Sequence, residues 1–160
     1  MLTRLTLTAL LCLAACASSD RGRPARFGDA DAVLDSLHAA AARADGATYF
    51  ALFTEDAVFL GTDGTERWSL PQFRAYAEPY FARGQGWTYV STERHLSASA
   101  CGDVVWFDER LHSDKYGEVR GSGVLRATTD GLRIAQYVLS FPVPNALAED
   151  LVARERAAAR

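Results

Sequence analysis

The sequence predicts an α+β domain in which helices cover one face of a curved antiparallel sheet. Apolar residues recur with helical spacing in the first half of the chain, whereas the second half holds long runs of β-branched and aromatic residues. Turn-forming sequences separate those runs at 113–117 and 129–131. The expected order is therefore helix, helix, strand, helix and then a succession of antiparallel strands.

The helices have recognisable ends. Asp29 is a suitable N-cap for the first helix, and Ser69 followed by Pro71 suits the first turn of the third. The expected elements, in order, are helices over 29–46 and 47–53, a strand over 57–60, a helix after Ser69, a strand over 87–97, and three central strands containing 106–109, 120–125 and 136–140.

The N-terminus is expected to be a processing signal. Arg4 precedes an apolar run at 5–15 that is too short to span a bilayer as a helix. The run closes with Leu-Ala-Ala-Cys at 13–16, which resembles the bacterial lipoprotein signal. The resemblance implies that Cys16 is lipidated and, with Ala17 after it, that the protein is anchored in the outer membrane and faces the periplasm. An ordinary secretory leader is the alternative.

Composition indicates one globular domain. The 160 residues are 49% hydrophobic and 11% aromatic, enough for an ordinary core and too aromatic for a disordered chain. A formal net charge of −3 argues against a nucleic-acid partner. The expected organisation is a signal peptide at 1–15, a flexible tether at 16–28, the domain at 29–145, and an exposed terminal helix or tail at 146–160.

The two-residue period of a strand divides the central side chains between two faces. We expect one face to line a ligand pocket and to carry Trp106, Asp108, Arg120, Ser122, Gln136 and Ser140. The other face carries Phe107, Val119, Leu125, Tyr137, Leu139 and Phe141. Exposed apolar surface of this size is unusual in a monomer, so we expect the second face to form a homodimer, with Gly121 and Gly123 allowing close approach.

Four motifs carry a family resemblance: FTEDAVF at 53–59, WFDE at 106–109, RGSG at 120–123 and IAQY at 134–137. Together with the element order, they resemble the SnoaL-like branch of the nuclear transport factor 2-like superfamily over residues 29–145. The resemblance implies a cone-shaped roll of a curved antiparallel sheet, with about three helices packed on its concave face and a pocket between them. Members include isomerases, cyclases, dehydratases and binding domains, so it implies a fold rather than one activity.

Asp108 is the sharpest candidate for chemistry. An apolar cavity would raise its pKa for general acid/base work, whereas pairing with Arg120 would lower it and make the two a clamp for a polar group of the ligand. An ion pair that only holds strands in register is the alternative. His95 is an open choice between pocket and core, and His38 is expected to be a core histidine.

Other candidates are weaker. In the related ketosteroid isomerases, a proton-shuttling Asp occupies the place held here by Gly61, so an isomerase mechanism would need Asp63 as a substitute. Tyr76 and Tyr80, one helical turn apart, could contact a ligand or belong to the core.

Two functions remain open. The first is a lipid-anchored domain that binds a small apolar molecule without catalysis. The second is a cofactor-free isomerase or lyase acting on a hydrophobic substrate, with Asp108, His95 or Asp63 as the acid/base group. No phosphate-binding Gly loop or metal-ligand spacing occurs in the sequence, so neither cofactor nor metal is expected.

Overall fold

The structure, a computed structural model, describes residues 27–158. The expected signal peptide, Cys16 and nearly all of the expected tether lie outside these residues. Within the described part of the chain, no helix is long and apolar enough to cross a membrane.

Helices and strands follow the expected order, apart from one short strand before the third helix that was not predicted. The helices are α1 (Phe27–Ala42), α2 (Gly46–Ala51), α3 (Leu70–Phe81) and α4 (Ala148–Ala158), with a short 3-10 helix at Asn145–Leu147 before α4. The strands are β1 (Phe53–Leu60), β2 (Arg67–Ser69), β3 (Val90–Ala98), β4 (Val104–Ser113), β5 (Gly117–Thr128) and β6 (Gly131–Ser140). The predicted α+β class is therefore confirmed.

Several boundaries differ from expectation: α1 ends at Ala42 rather than near residue 46, β3 begins at Val90 rather than at residue 87, and the change from α2 to β1 comes early. Helix α2 ends at Ala51 and strand β1 already begins at Phe53, because the chain there is held by β6: the N–H of Ile134 donates to the carbonyl of Leu52 at 2.8 Å. The start of α3 agrees with prediction, since the carboxamide oxygen of Gln72 accepts hydrogen bonds from the N–H and the hydroxyl of Ser69.

The six strands form one sheet in the order β2-β1-β6-β5-β4-β3. The pairs β3–β4, β4–β5 and β5–β6 are antiparallel, as predicted, whereas β1 lies parallel to β6, which was not predicted. Helices α1, α2 and α3 pack on one face of the sheet, and α4 contributes no buried residue. The face toward α1–α3 is called the inner face below, and the opposite face is called the outer face.

The inner face is not the one expected. The residues assigned to a dimer interface, Phe107, Leu125, Tyr137 and Leu139, are at most 8% exposed because they belong to the core beneath the helices. The grouping of residues by alternation was correct, but it could not say which group the helices cover. A dimer through these side chains is therefore wrong, and Gly121 and Gly123 make room for groups of the same chain instead.

Candidate functional site

A cavity of about 510 Å³ lies between the helices and the inner face of the sheet. It is open at one end, where α3, the chain after β1 and the β4–β5 hairpin approach each other. Ten of its 23 lining residues are aromatic, and the lining includes His38 from α1 and Tyr137 from β6. Volume and lining are those of a site for a small organic molecule.

Five near-parallel rings form one wall of this cavity. The ring of Phe59 stacks on Tyr137 at 5.6 Å and 10° and on Phe73 at 3.8 Å and 13°. Trp68 stacks on Phe73 at 5.6 Å and on Tyr76 at 5.0 Å. We call this set the ring column. It runs from buried Tyr137 to Tyr76, which is 47% exposed, and thus joins the base of the cavity to its mouth.

The opposite wall is also aromatic. Trp87 and Tyr89 come from the segment before β3, and Trp87 meets the ring of Tyr49 edge-on at 5.7 Å. Burial, with smaller contributions from Tyr116 and Tyr76, raises the pKa of Tyr89 to about 12. The Tyr89 hydroxyl is therefore neutral at physiological pH and available as a donor.

A buried carboxylate lies beneath the cavity. Glu109 on β4 is 1% exposed, and its Oε1 accepts hydrogen bonds from Nε2 of His38 at 2.9 Å and from the hydroxyl of Tyr137 at 3.0 Å. Its Oε2 accepts from Nε of Arg94 at 3.0 Å. These four residues are called the Glu109 cluster. Because His38 and Tyr137 also line the cavity, the cluster reaches it through those two side chains.

The cluster is arranged around an ionised Glu109. Burial alone would raise the pKa of Glu109, but the hydrogen bond and charge of His38, together with Arg94, outweigh burial and lower it. Burial and the nearby Glu109 charge raise the pKa of Tyr137 well above its ordinary value, so its hydroxyl stays a donor. A neutral phenol, an imidazole and a guanidinium therefore surround a carboxylate.

Arg94 connects this cluster to helix α1. Its Nη1 lies 3.0 Å from Oδ1 of Asp31 and 2.9 Å from Oδ1 of Asp35, one helical turn apart. Burial would lower the pKa of Arg94, but Asp31, Glu109 and Asp35 together raise it. Arg94 is therefore a charged tie between α1 and the sheet, and it fixes the helix that carries His38.

The mouth of the cavity is formed by Tyr76 and Tyr80 on α3 and by the β4–β5 hairpin. Nζ of Lys115 lies 4.6 Å from the centre of the Tyr116 ring, a cation–π contact. Tyr116 in turn meets Phe141 edge-on at 5.6 Å. Tyr76 and Tyr80 both line the cavity, and their contact with a ligand stays a prediction.

The six residues expected to line the pocket from the sheet lie elsewhere. They do share one face, but it is the outer face, and none of them lines the cavity: Trp106, Asp108, Arg120, Ser122, Gln136 and Ser140. Asp108 is opposite Ser122, and Arg120 is opposite Arg110, so the expected neighbours are out of register by two residues. No ion pair joins Asp108 to Arg120 in the described structure, so the expected position of this clamp inside the pocket is wrong.

The other acid/base candidates also lie outside the cavity. The His95 side chain is 62% exposed on the edge strand, with Nε2 at 3.2 Å from Glu93. Asp63 lies in the exposed turn after β1, where hydrogen bonds from the hydroxyl and N–H of Thr65 lower its pKa. Asp63 therefore organises a turn, and it does not replace a pocket carboxylate at Gly61.

Sequence reasoning missed Glu109 and Arg94, and it placed His38 only in the core. One signal was available for Glu109, which continues the alternating apolar stripe of Val105, Phe107 and Leu111 on β4. A charged residue within a buried stripe needs partners, and such residues often belong to functional sites. His38 fits the expected core histidine in that one nitrogen is satisfied, but it also lines the cavity.

The comparisons with known proteins agree with this architecture. The model of the family described as SnoaL-like domain matches residues 30–144. The chain belongs to the SnoaL-like family. A comparison with curated proteins found no match.

Solved structures similar to this SnoaL-like domain share its fold at low identity. A proposed dehydratase of the nuclear transport factor 2-like family from Streptomyces avermitilis is 17% identical, with a TM-score of 0.61 over 73% of this chain and 96% of its own. ActVI-ORFA from Streptomyces coelicolor is 17% identical, with a TM-score of 0.57 over 71% and 94%. A proposed ketosteroid isomerase from Parabacteroides distasonis is 16% identical, with a TM-score of 0.55 over 69% and 86%.

Proposed function

We propose that this SnoaL-like domain binds a small, flat, largely apolar molecule in its cavity. The observation that carries the proposal is the ring column, which gives a cavity of about 510 Å³ one continuous aromatic wall. A planar ligand lying against such a wall gains offset stacking in addition to the burial of its apolar surface. The hydroxyls of Tyr89 and Tyr76 supply polar groups that can orient it.

The experiment is binding of N-phenyl-1-naphthylamine, a neutral fluorescent probe with a flat naphthalene ring, to the domain and two variants. Tyr76→Ala removes the outermost ring of the column and should weaken binding several-fold, since one aromatic contact contributes about 0.5–1.5 kcal/mol beyond its area. Phe27→Ala is the matched control, because Phe27 is equally exposed and does not line the cavity. Equal affinity in all three proteins would contradict binding in the cavity.

The Glu109 cluster supports a second candidate function, which is catalytic. We propose as the alternative a cofactor-free isomerase or lyase in which His38 transfers a proton. The 2.9 Å bond from Nε2 to the Glu109 carboxylate fixes the orientation of the imidazole. Nδ1 of His38 has no hydrogen-bond partner among residues 27–158 and is the atom that would accept the proton from a hydrophobic substrate.

This alternative is tested by proton exchange. Cyclic ketones of suitable size would be incubated with the domain in D₂O, and deuterium incorporation next to the carbonyl would be followed by NMR. His38→Gln should abolish protein-dependent exchange, whereas Asp108→Asn, which changes a carboxylate on the outer face, should leave it intact. Exchange that persists in His38→Gln would exclude His38 as the base.

The setting of the domain is also a proposal. We infer from the Leu-Ala-Ala-Cys sequence at 13–16 that Cys16 carries the lipid and that the domain faces the periplasm from the outer membrane. The intact mass of membrane-extracted protein tests this. A mature chain that begins elsewhere than Cys16, or that lacks added acyl mass, would contradict it.

A homodimer is proposed through the outer face. Trp106 is 48% exposed there, opposite half-buried Val124, and half-buried Val138 follows on the next strand. Aromatic and aliphatic groups of this kind favour association with a second copy.

A further inference from the structure

We propose that Lys115 is the anion-recognition residue of the cavity, so that its ligand is a flat apolar molecule with an anionic oxygen group at the outer end. This inference rests on the proposed binding function and adds the charge and the orientation of the ligand. Lys115 is the only lysine in the 160 residues, and it lies at the mouth of the cavity.

The position of Lys115 is set by the β4–β5 hairpin. The turn between Ser113 and Gly117 projects Lys115 and Tyr116 over the opening, and Gly117 supplies the positive φ of 69° that the turn requires. The cation–π contact at 4.6 Å holds the ammonium group on the Tyr116 ring. The anionic group of a ligand that extends past Tyr76, at the outer end of the ring column, would therefore lie near the Lys115 ammonium group.

The charge of Lys115 is available. No carboxylate forms an ion pair with its Nζ within residues 27–158. Two carboxylate residues, Glu66 and Asp114, also line the cavity. Oε2 of Glu66 accepts a hydrogen bond from the N–H of Asp63 at 3.1 Å. Asp114 is fully exposed, and its Oδ1 lies 3.7 Å from Nε2 of His112. Hydrogen bonding to Tyr116 and the nearby phenols raise the pKa of Lys115, so the group is cationic at neutral pH.

The inner end of the cavity disfavours the opposite orientation, because both basic groups there, His38 and Arg94, are already paired with the carboxylate of Glu109. Glu109 is ionised there, and its oxygens already accept from His38, Tyr137 and Arg94. A second anion near the buried carboxylate would meet repulsion with little water to screen it. The walls between the two ends are aromatic. A ligand would thus place its apolar body along the ring column and its anionic group outward, next to Lys115.

The test compares two probes that differ in charge: 1-anilinonaphthalene-8-sulfonate and its neutral counterpart N-phenyl-1-naphthylamine. Displacement of the neutral probe by the sulfonate shows that both occupy one site. Lys115→Gln should raise the Kd of the sulfonate about two- to fivefold, the value of a solvent-accessible ion pair, and leave the Kd of the neutral probe unchanged. Lys115→Arg should preserve sulfonate binding.

The matched control is Arg154→Gln, which removes one positive charge from exposed helix α4, away from the cavity. It should change neither Kd. If Lys115→Gln and Arg154→Gln behave alike toward the sulfonate, or if Lys115→Gln weakens both probes equally, anion recognition by Lys115 is overturned while binding in the cavity stands. If the wild-type domain binds only the neutral probe, the same conclusion follows. If it binds neither, both proposals fail.

Discussion

The hydroxyl of Tyr137 donates a hydrogen bond of 3.0 Å to Oε1 of Glu109, although β5 lies between the strands that carry them. The bond can form because the β5 residue beneath it is Gly121. A Cβ at that position would lie 2.5 Å from the Tyr137 hydroxyl and 2.9 Å from Cγ of Glu109. A glycine in the middle of a strand, which weakens a sheet, is here the residue that makes space for the Glu109 cluster.

Gly121→Ala should therefore disrupt the cluster. The added methyl group must displace Tyr137 or Glu109, and overpacking of this kind costs about 1–3 kcal/mol in the free energy of unfolding. Urea denaturation provides the measurement. Gly64→Ala is the control, since nothing lies within 4 Å of a Cβ built at Gly64. A Gly121→Ala protein as stable as the parent would show that the cluster can move aside without cost.

Arg94→Ala should be strongly destabilising. It leaves the ionised Glu109 without its guanidinium partner in a buried position, which costs about 3–5 kcal/mol. Arg110→Ala is matched to it, because Arg110 also pairs with carboxylates of the sheet but has a 63% exposed side chain. That change should cost at most about 1 kcal/mol. Similar unfolding free energies for the two variants would mean that the Arg94 tie contributes no more than a surface ion pair.

Stability should depend on the protonation of Glu109. Its pKa is lower in the folded state than in the unfolded chain, so its contribution is complete above the unfolded value of about 4.3 and is lost as pH falls through the folded value. The difference in unfolding free energy between wild type and Glu109→Gln should thus narrow as the pH falls from about 5. Glu149→Gln on exposed α4 is the control, because it shows how the pH dependence of the unfolding free energy changes when an exposed carboxylate is removed. A difference independent of pH down to acid unfolding would argue against an ionised Glu109.

Trp106→Asp should dissociate the proposed homodimer. It places a charge in the centre of the apolar part of the outer face, and sedimentation of the domain should then give a monomer. Val152→Asp is the comparison, because Val152 is 40% exposed on α4 and lies off the sheet. Dissociation by Val152→Asp alone would assign the interface to α4, and a monomeric wild type would remove the dimer altogether.

The sequence was informative about local structure and about alternation. The cap at Ser69 identified the start of α3, and the period of two separated Trp106 and Asp108 correctly from Phe107 and Leu125. Alternation does not say which group of side chains the helices cover. The polar character of the set of side chains that includes Asp108 suggested a binding surface. Polar side chains on an open sheet face are equally the consequence of contact with solvent.

The Glu109 cluster could not be assembled from the sequence because its members come from distant elements. His38 is 71 residues from Glu109, and Arg94 reaches α1 across 63 residues to Asp31. Such contacts depend on how α1 packs on the sheet, which no local pattern specifies. Glu109, the single charged residue in the buried stripe of β4, was the one local sign that partners exist. Identifying those partners required the tertiary structure.

The parallel pairing of β1 with β6 bears on how the protein folds. Phe59 is paired with Tyr137, 78 residues later (137 minus 59), and the two rings stack at one end of the cavity wall. Contacts so distant in sequence raise contact order and slow folding, because a long loop must close before they form. A nascent or truncated chain that ends before β6 lacks Tyr137, so it can have neither the complete wall nor the hydrogen bond from Tyr137 to Glu109. Ligand binding is therefore expected to report on the completion of the sheet, and an N-terminal fragment that ends before β6 should fail to bind the probe.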